Sequence, residues 1–84
     1  MIICWTTTAW QQYLYWQSID KKKLKRINEL IKQTQRDPFK GIGNPEALKH
    51  DLQGYWSRRI DSEHRLVYKC TDTQLTIVAC RYHY

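Results

Sequence analysis

The apolar positions change period along the chain. Ile2, Ile3, Cys4 and Trp5 form an unbroken apolar run, which predicts a short first strand over "IICWT", Ile2 to Thr6. Thr8 followed three residues later by Gln11 has the form of a capping box, and Trp10, Tyr13, Leu14 and Gln17 then recur at helical spacing. A first helix is expected near Thr8 to Ser18. Asp20 can cap a second helix, in which Leu24, Ile27, Leu30 and Ile31 form an apolar stripe and Lys21, Lys22, Lys25, Arg26 and Lys32 mostly face water. Pro38, which cannot donate a helical hydrogen bond, ends it.

The stretch "DPFKGIGNP", Asp37 to Pro45, holds two Pro and two Gly and reads as a loop. After it, "YWSRRI", "RLVYKC" and "QLTIVACRY" read as three strands joined by "DSEH" and "TDT", the pattern of an antiparallel meander. Arg81 and Tyr82 are expected to continue the last strand. No linker, repeat or low-complexity segment interrupts the chain. The order strand, helix, helix, then three or four strands predicts an α+β fold in one domain over residues 1–84. Its expected form is an antiparallel sheet of about four to five strands with two N-terminal helices packed on one face.

The meander carries a second expectation. Tyr55, Ser57 and Arg59 share one face of their strand, and Trp56, Arg58 and Ile60 the other. A hairpin loop of three or five residues, centred on Ser62, sets Arg59 opposite Arg65 and Trp56 opposite Tyr68. A four-residue loop sets Arg65 beside Ile60 instead, and the pattern leaves both open. In the first register two guanidiniums face each other, which destabilises a sheet unless an anion lies between them. That register therefore hints at a phosphate site.

Charge agrees with an anionic partner. The 84 residues carry 14 Lys and Arg against 8 Asp and Glu, for a net charge of +6. Met1 to Ile19 has no charged residue, whereas Asp20 to Lys40 holds eight basic residues against three acidic ones. Nucleic acid is the polyanion such a balance favours, although a solvated basic face looks the same in sequence. The uncharged start lacks a basic n-region and is interrupted by Thr6, Thr7, Thr8, Gln11, Gln12 and Gln17, so neither a secretory nor a membrane segment is expected. Cys4, Cys70 and Cys80 are odd in number and include no C-x-x-C pair. They are read as buried free thiols in a reducing cytoplasm rather than as a disulfide framework or zinc site.

His50, His64 and His83 show no metal-ligand spacing with the scattered acids and cysteines, so neither a metal nor another cofactor is expected. No glycine-rich phosphate loop opens a helix, and no Ser or Cys carries the signature of an activated nucleophile. What remains is Glu46, His50, Glu63, His64 and His83 among Lys49, Arg58, Arg59, Arg65 and Arg81. RNA cleavage without metal needs a base for the 2′-hydroxyl proton, cations for charge growing on the phosphorus oxygens, and an acid for the departing 5′ oxygen. One carboxylate, one or two arginines and one histidine suffice, and Tyr84 could stack on a base. Each residue also has an inert reading: Glu46 as a capping or solvated residue, His83 as a loose tail, Arg58, Arg59 and Arg65 as surface or salt-bridge groups, Tyr84 as a plug on the core. His50 and His64 are given no role. On pattern alone, a noncatalytic nucleic-acid-binding or protein-binding module stands ahead of RNA cleavage.

Three stretches change that order. "YLYWQSIDKKKLKRINELI", "PEALKHDLQGYWSRRIDSEHRLVY" and the closing "CRYHY" closely resemble the YoeB toxins of the Txe/YoeB family, within the RelE superfamily of ribosome-dependent mRNA interferases. The resemblance covers essentially all 84 residues. It implies a RelE-like microbial RNase fold and a type II toxin that cleaves mRNA in the ribosomal A site, without metal, and so inhibits translation. It also implies roles: Glu46 as general base, Arg65 stabilising the transition state with Arg59, Lys49 on the substrate, His83 as general acid, and Tyr84 positioning the substrate. The implied partners are a YefM-like antitoxin that wraps the toxin, the ribosome and its mRNA, operator DNA for the toxin–antitoxin complex only, and a second copy in a homodimer. A gyrase-directed toxin on a similar scaffold is the rival within the superfamily. Three features depart from the family pattern: Asn44 stands where a lysine is expected, the first helix lacks acidic residues, and Cys70 replaces an aliphatic.

Overall fold

Thr6, rather than Thr8, starts the first helix: its hydroxyl accepts a hydrogen bond from the Ala9 amide at 3.1 Å. The computed structural model describes residues 1–83. In chain order it forms β1 (Ile2–Trp5), α1 (Thr7–Ile19), α2 (Lys21–Arg36), β2 (Glu46–Ala47), a 3-10 turn (His50–Leu52), β3 (Trp56–Arg59), β4 (Arg65–Cys70) and β5 (Gln74–Ala79). Asp20 joins the helices, closing α1 with its amide and opening α2 by accepting from the Lys22 and Lys23 amides.

The strands lie in the order β1-β5-β4-β3-β2. Pairing from β2 to β5 is antiparallel, as the meander predicts, but β1 adds to the outer edge of β5 in parallel, so the sheet is mixed. A parallel neighbour requires a crossover, and α1 with α2 provides it. Both helices therefore cover one face. Leu24, Ile27, Leu30 and Ile31 do form the core stripe of α2, packing with Leu66, Tyr68, Leu75 and Ile77. Full burial of such side chains stabilises by about 1.5 to 3 kcal/mol each. On α1 the spacing misleads: Ala9 and Trp16 are buried, whereas Trp10 and Leu14 are exposed.

Two irregularities shape the region around the last strand. Tyr68 pairs with Ile77 but Val67 with Ala79, so Val78 is an extra residue, a β-bulge. The alternation of Leu75 and Ile77 toward the helices breaks there, and buried Cys80 rather than Ala79 resumes it. Arg81 and Tyr82 do not continue β5, which ends at Ala79; Tyr82 instead adopts a left-handed φ of 67°. Tyr84 lies outside the described residues.

Arg58 is the largest fully buried side chain, on the face that the alternation of Trp56, Arg58 and Ile60 assigns to the helices. Its Nη1 donates to the Ile42 carbonyl at 3.0 Å, and its Nη2 to the Asp37 and Lys40 carbonyls at 2.5 and 2.9 Å. Its Nε donates to Tyr68 Oη, whose hydroxyl in turn donates to the Pro38 carbonyl. A surface or salt-bridge reading of Arg58 is therefore wrong. It is an internal tether for a loop with little regular structure of its own. Gly43 brings that loop against β3: it has φ of 82°, and a Cβ there would lie 2.8 Å from Leu30 Cδ2 and 3.0 Å from Arg58 Cβ. The Gly43 carbonyl accepts from the Arg59 amide at 2.6 Å.

Candidate active site

The β3–β4 hairpin has the five-residue loop, so Arg59 stands opposite Arg65 and Trp56 opposite Tyr68. Directly paired residues place their side chains on one face. Glu46 pairs with Ser57, Ser57 with Val67, and Arg59 with Arg65, which sets Glu46, Arg59 and Arg65 together on the sheet face opposite the helices. Arg59 is the diagonal neighbour of Glu46, at the ~7 to 8 Å usual for that relation.

The loop tethered by Arg58 delivers Glu46. Asn44, itself at a left-handed φ of 52°, donates from Nδ2 to Glu46 Oε1 at 3.1 Å, so the residue found where a lysine is expected holds the carboxylate directly. Glu46, Ala47, Leu48, Lys49 and His50 line a cleft of about 390 Å³. Leu48 is buried and anchors its floor, while Glu46, Lys49 and His50 are exposed to solvent. His50, given no role in the sequence reading, thus joins the cleft wall, and its φ of 58° marks the sharp entry into the 3-10 turn.

Arg65 is half-buried and braced. Its Nη1 donates to the carbonyls of Asp61 and His64 at 3.0 and 3.2 Å. The hairpin loop is held in turn by Asp61, which accepts from the Glu63 and His64 amides and pairs with Lys23 of α2. Burial pushes the Asp61 carboxyl up, but the Lys23 ammonium and those two amides outweigh it and bring it down to about 2.

The tail reaches the same place from the other side. The Arg65 amide donates to the Tyr82 carbonyl at 3.1 Å, which puts the next residue, His83, at the flank of Arg65. His83 is exposed. The structure thus brings Glu46, Arg59 and Arg65 to one sheet face, with Lys49 in the adjoining cleft and His83 one residue beyond the backbone bond to Arg65. Sequence reasoning missed the supports: Asn44, Arg58 and His64, whose partners are set by loop geometry or lie 10 to 21 residues away. Among the described residues no group of three or more His, Cys, Asp or Glu side chains could hold a metal ion. Cys80 is buried, and burial pushes its thiol up to about 12; Cys4 and Cys70 are only half-buried, and all three thiols are free.

A family model described as the YoeB-like toxin of bacterial type II toxin–antitoxin systems matches residues 5–84. Toxin YoeB of Escherichia coli strain K12 is 61% identical over 84 residues, covering all of both chains. The structure of the YoeB dimer from Staphylococcus aureus superposes with a TM-score of 0.94 at 48% identity, over 100% of this chain and 98% of that one. The toxin in the heterotetrameric YoeB–YefM toxin–antitoxin complex from Staphylococcus aureus gives 0.93 at 48% identity, with the same coverage. A likeness of this extent, over a fold and a cluster already assembled from the residues, leaves one assignment: the chain belongs to the YoeB-like toxin family of bacterial type II toxin–antitoxin systems.

Proposed function

We propose that this chain is a metal-independent, ribosome-dependent endoribonuclease that cleaves mRNA in the ribosomal A site and so inhibits translation. What supports the reading is the shared sheet face of Glu46, Arg59 and Arg65, from strands β2, β3 and β4, together with the backbone bond that ties the residue before His83 to Arg65. Glu46, steadied by Asn44, takes the 2′-hydroxyl proton. The freed 2′ oxygen attacks the adjacent phosphorus, and Arg65 with Arg59 holds the charge that builds on the phosphoryl oxygens. His83 returns a proton to the departing 5′ oxygen, leaving a 2′,3′-cyclic phosphate or its opened 3′-phosphate. Lys49 grips the substrate backbone beside Glu46, and Tyr84 stacks on a base.

The chain works as one domain in the cytoplasm. Its partners are a YefM-like antitoxin, as in the Staphylococcus aureus complex, the ribosome with its mRNA, and a second copy, as in the dimer from the same organism. Operator DNA is bound only by the toxin–antitoxin complex. Among the described residues no helix is long and apolar enough to cross a membrane.

The test is induced expression with mRNA end mapping, repeated with Glu46→Ala and His83→Ala. Growth arrest with mRNA cut inside translated frames to 2′,3′-cyclic or 3′-phosphate ends, lost in both variants, supports the reading. Ends bearing 3′-hydroxyls overturn the mechanism, because attack by a 2′-hydroxyl cannot make them. Arrest with intact mRNA and damaged DNA favours the gyrase-directed alternative, and no arrest favours a noncatalytic binding module.

A further inference from the structure

Once β5 ends at Ala79, the ladder no longer satisfies the backbone that follows, and side chains take over. The Cys80 amide donates to Gln12 Oε1 at 2.7 Å, and the Cys80 carbonyl accepts from Trp16 Nε1 at 2.8 Å. The Arg81 guanidinium lies 3.6 Å from the Tyr15 ring centre and 4.4 Å from that of Tyr82, sandwiched between them. The Tyr82 amide donates to His64 Nδ1 at 2.7 Å, and the Tyr82 carbonyl accepts from the Arg65 amide. Tyr82 is thereby gripped on both sides of its α-carbon. A grip is needed, because a left-handed φ of 67° is strained for a tyrosine and persists only where its surroundings enforce it.

His64 is built for that task. It is 6% exposed, its ring meets Trp16 edge-on at 4.8 Å, and its own amide is tied to Asp61 Oδ1 at 2.7 Å. Burial and the edge-on contact with Trp16 hold the ring in one orientation. An Nδ1 that accepts a backbone N–H must carry a lone pair, so the proton sits on Nε2, which faces Glu63 Oε1 at 3.7 Å. We infer that His64 is the positioning residue of the tail: by accepting the Tyr82 amide at Nδ1 it holds the left-handed turn that presents His83 beside Arg65. The inference rests on the proposed function only for the role of His83; the latch itself is independent of it.

The test compares the whole wild-type chain with His64→Leu, which fills similar space without an acceptor, and His64→Asn, whose Oδ1 can occupy the place of Nδ1. Three quantities are read: Tyr82 amide hydrogen exchange against that of Ile77 in β5, thermal melting, and kcat and KM for cleavage of ribosome-bound mRNA. In His64→Leu the Tyr82 amide should exchange at least about tenfold faster with Ile77 unchanged, since the bond lost is local. Its kcat should fall by roughly 10- to 100-fold with KM little altered, the cost of misplacing a reacting group. His64→Asn should return both toward wild type. Tyr82 protection and kcat both retained in His64→Leu, or an Asn variant as impaired as the Leu variant, overturn the inference. Should His64→Leu fail to fold, imidazole ¹⁵N shifts of the wild type decide: a neutral ring protonated on Nε2 supports the latch, and one protonated on Nδ1 overturns it. A wild type that protects Tyr82 through His64 yet cleaves no mRNA sinks the nuclease reading and leaves the latch standing.

Discussion

Arg59 and Arg65 stand directly opposite one another in the β3–β4 ladder, two like charges on one sheet face. Such a pair destabilises a sheet by roughly 0.2 to 1 kcal/mol unless something negative lies between. Relieving it with Arg59→Thr, which keeps a strand-forming residue, should raise the melting temperature by about 1 to 5 °C at low salt. Cleavage of ribosome-bound mRNA should fall in the same variant by roughly 10- to 100-fold, as when one charge-stabilising donor is lost. A lower melting point with unchanged cleavage would show the pair to be structural.

Glu46→Ala and His83→Ala should each slow single-turnover cleavage by about 10² to 10⁴, the range for acid and base groups. Both side chains are exposed, so melting should barely move. Removing only His83 and Tyr84 should have the same effect on rate. Its melt should also stay close to native, because the tail is anchored at Cys80, Arg81 and Tyr82 among the described residues. Loss of cooperative melting in step with activity would count against a catalytic tail.

Arg58→Met should cost about 3 kcal/mol or more in stability, because three carbonyls of the loop over 37–42 and the Tyr68 hydroxyl lose a partner together. Tyr68→Phe removes only the bonds made by the hydroxyl and should cost about 1 to 2 kcal/mol. Urea denaturation of both variants gives the order; equal losses would mean that packing, not the tether, sets the cost.

The Lys23–Asp61 pair should matter in acid. The Asp61 carboxyl is held at about 2, below its ordinary 3.8, so it contributes stability that is fully present above that ordinary value and is lost as pH falls toward 2. Because both side chains are 29% exposed, screening leaves roughly 1 kcal/mol of this. The difference in urea midpoint between wild type and Asp61→Asn should be constant from pH 5 to 7 and shrink toward pH 2. A gap that persists at pH 2 would assign the stabilisation to geometry rather than to charge.

The features legible in the chain were those with local periods. The α2 stripe and the Asp20 cap follow from spacing, and the placement of Arg59 opposite Arg65 follows once the hairpin loop has five residues. On α1, aromatics surround the helix and charge is missing from it, so spacing could not say which face is buried. Arg58 looks like a surface residue in sequence because its buried guanidinium is paid for by carbonyls 16 to 21 positions away. The Tyr82 turn was hidden for the same reason: the bulge at Val78 and a histidine 18 residues upstream decide it, and neither leaves a local mark. Of the cluster, the motifs indicated Glu46, Arg59, Arg65 and His83, but not what holds them.

The parallel seam between β1 and β5 also gives the fold an order in time. The helices and the β3–β4–β5 meander can form from near neighbours, whereas Ile2 meets Gln74 across almost the entire chain. By loop-closure entropy, a closure of that span costs about 2 to 3 kcal/mol more than that of a short hairpin. The seam should thus form late and open early, and Glu46, Arg59 and Arg65 lie away from it on β2, β3 and β4. Substitutions along Ile2, Ile3 and Cys4 should therefore shorten the lifetime of the folded molecule by speeding unfolding, and leave the chemistry of each surviving molecule intact.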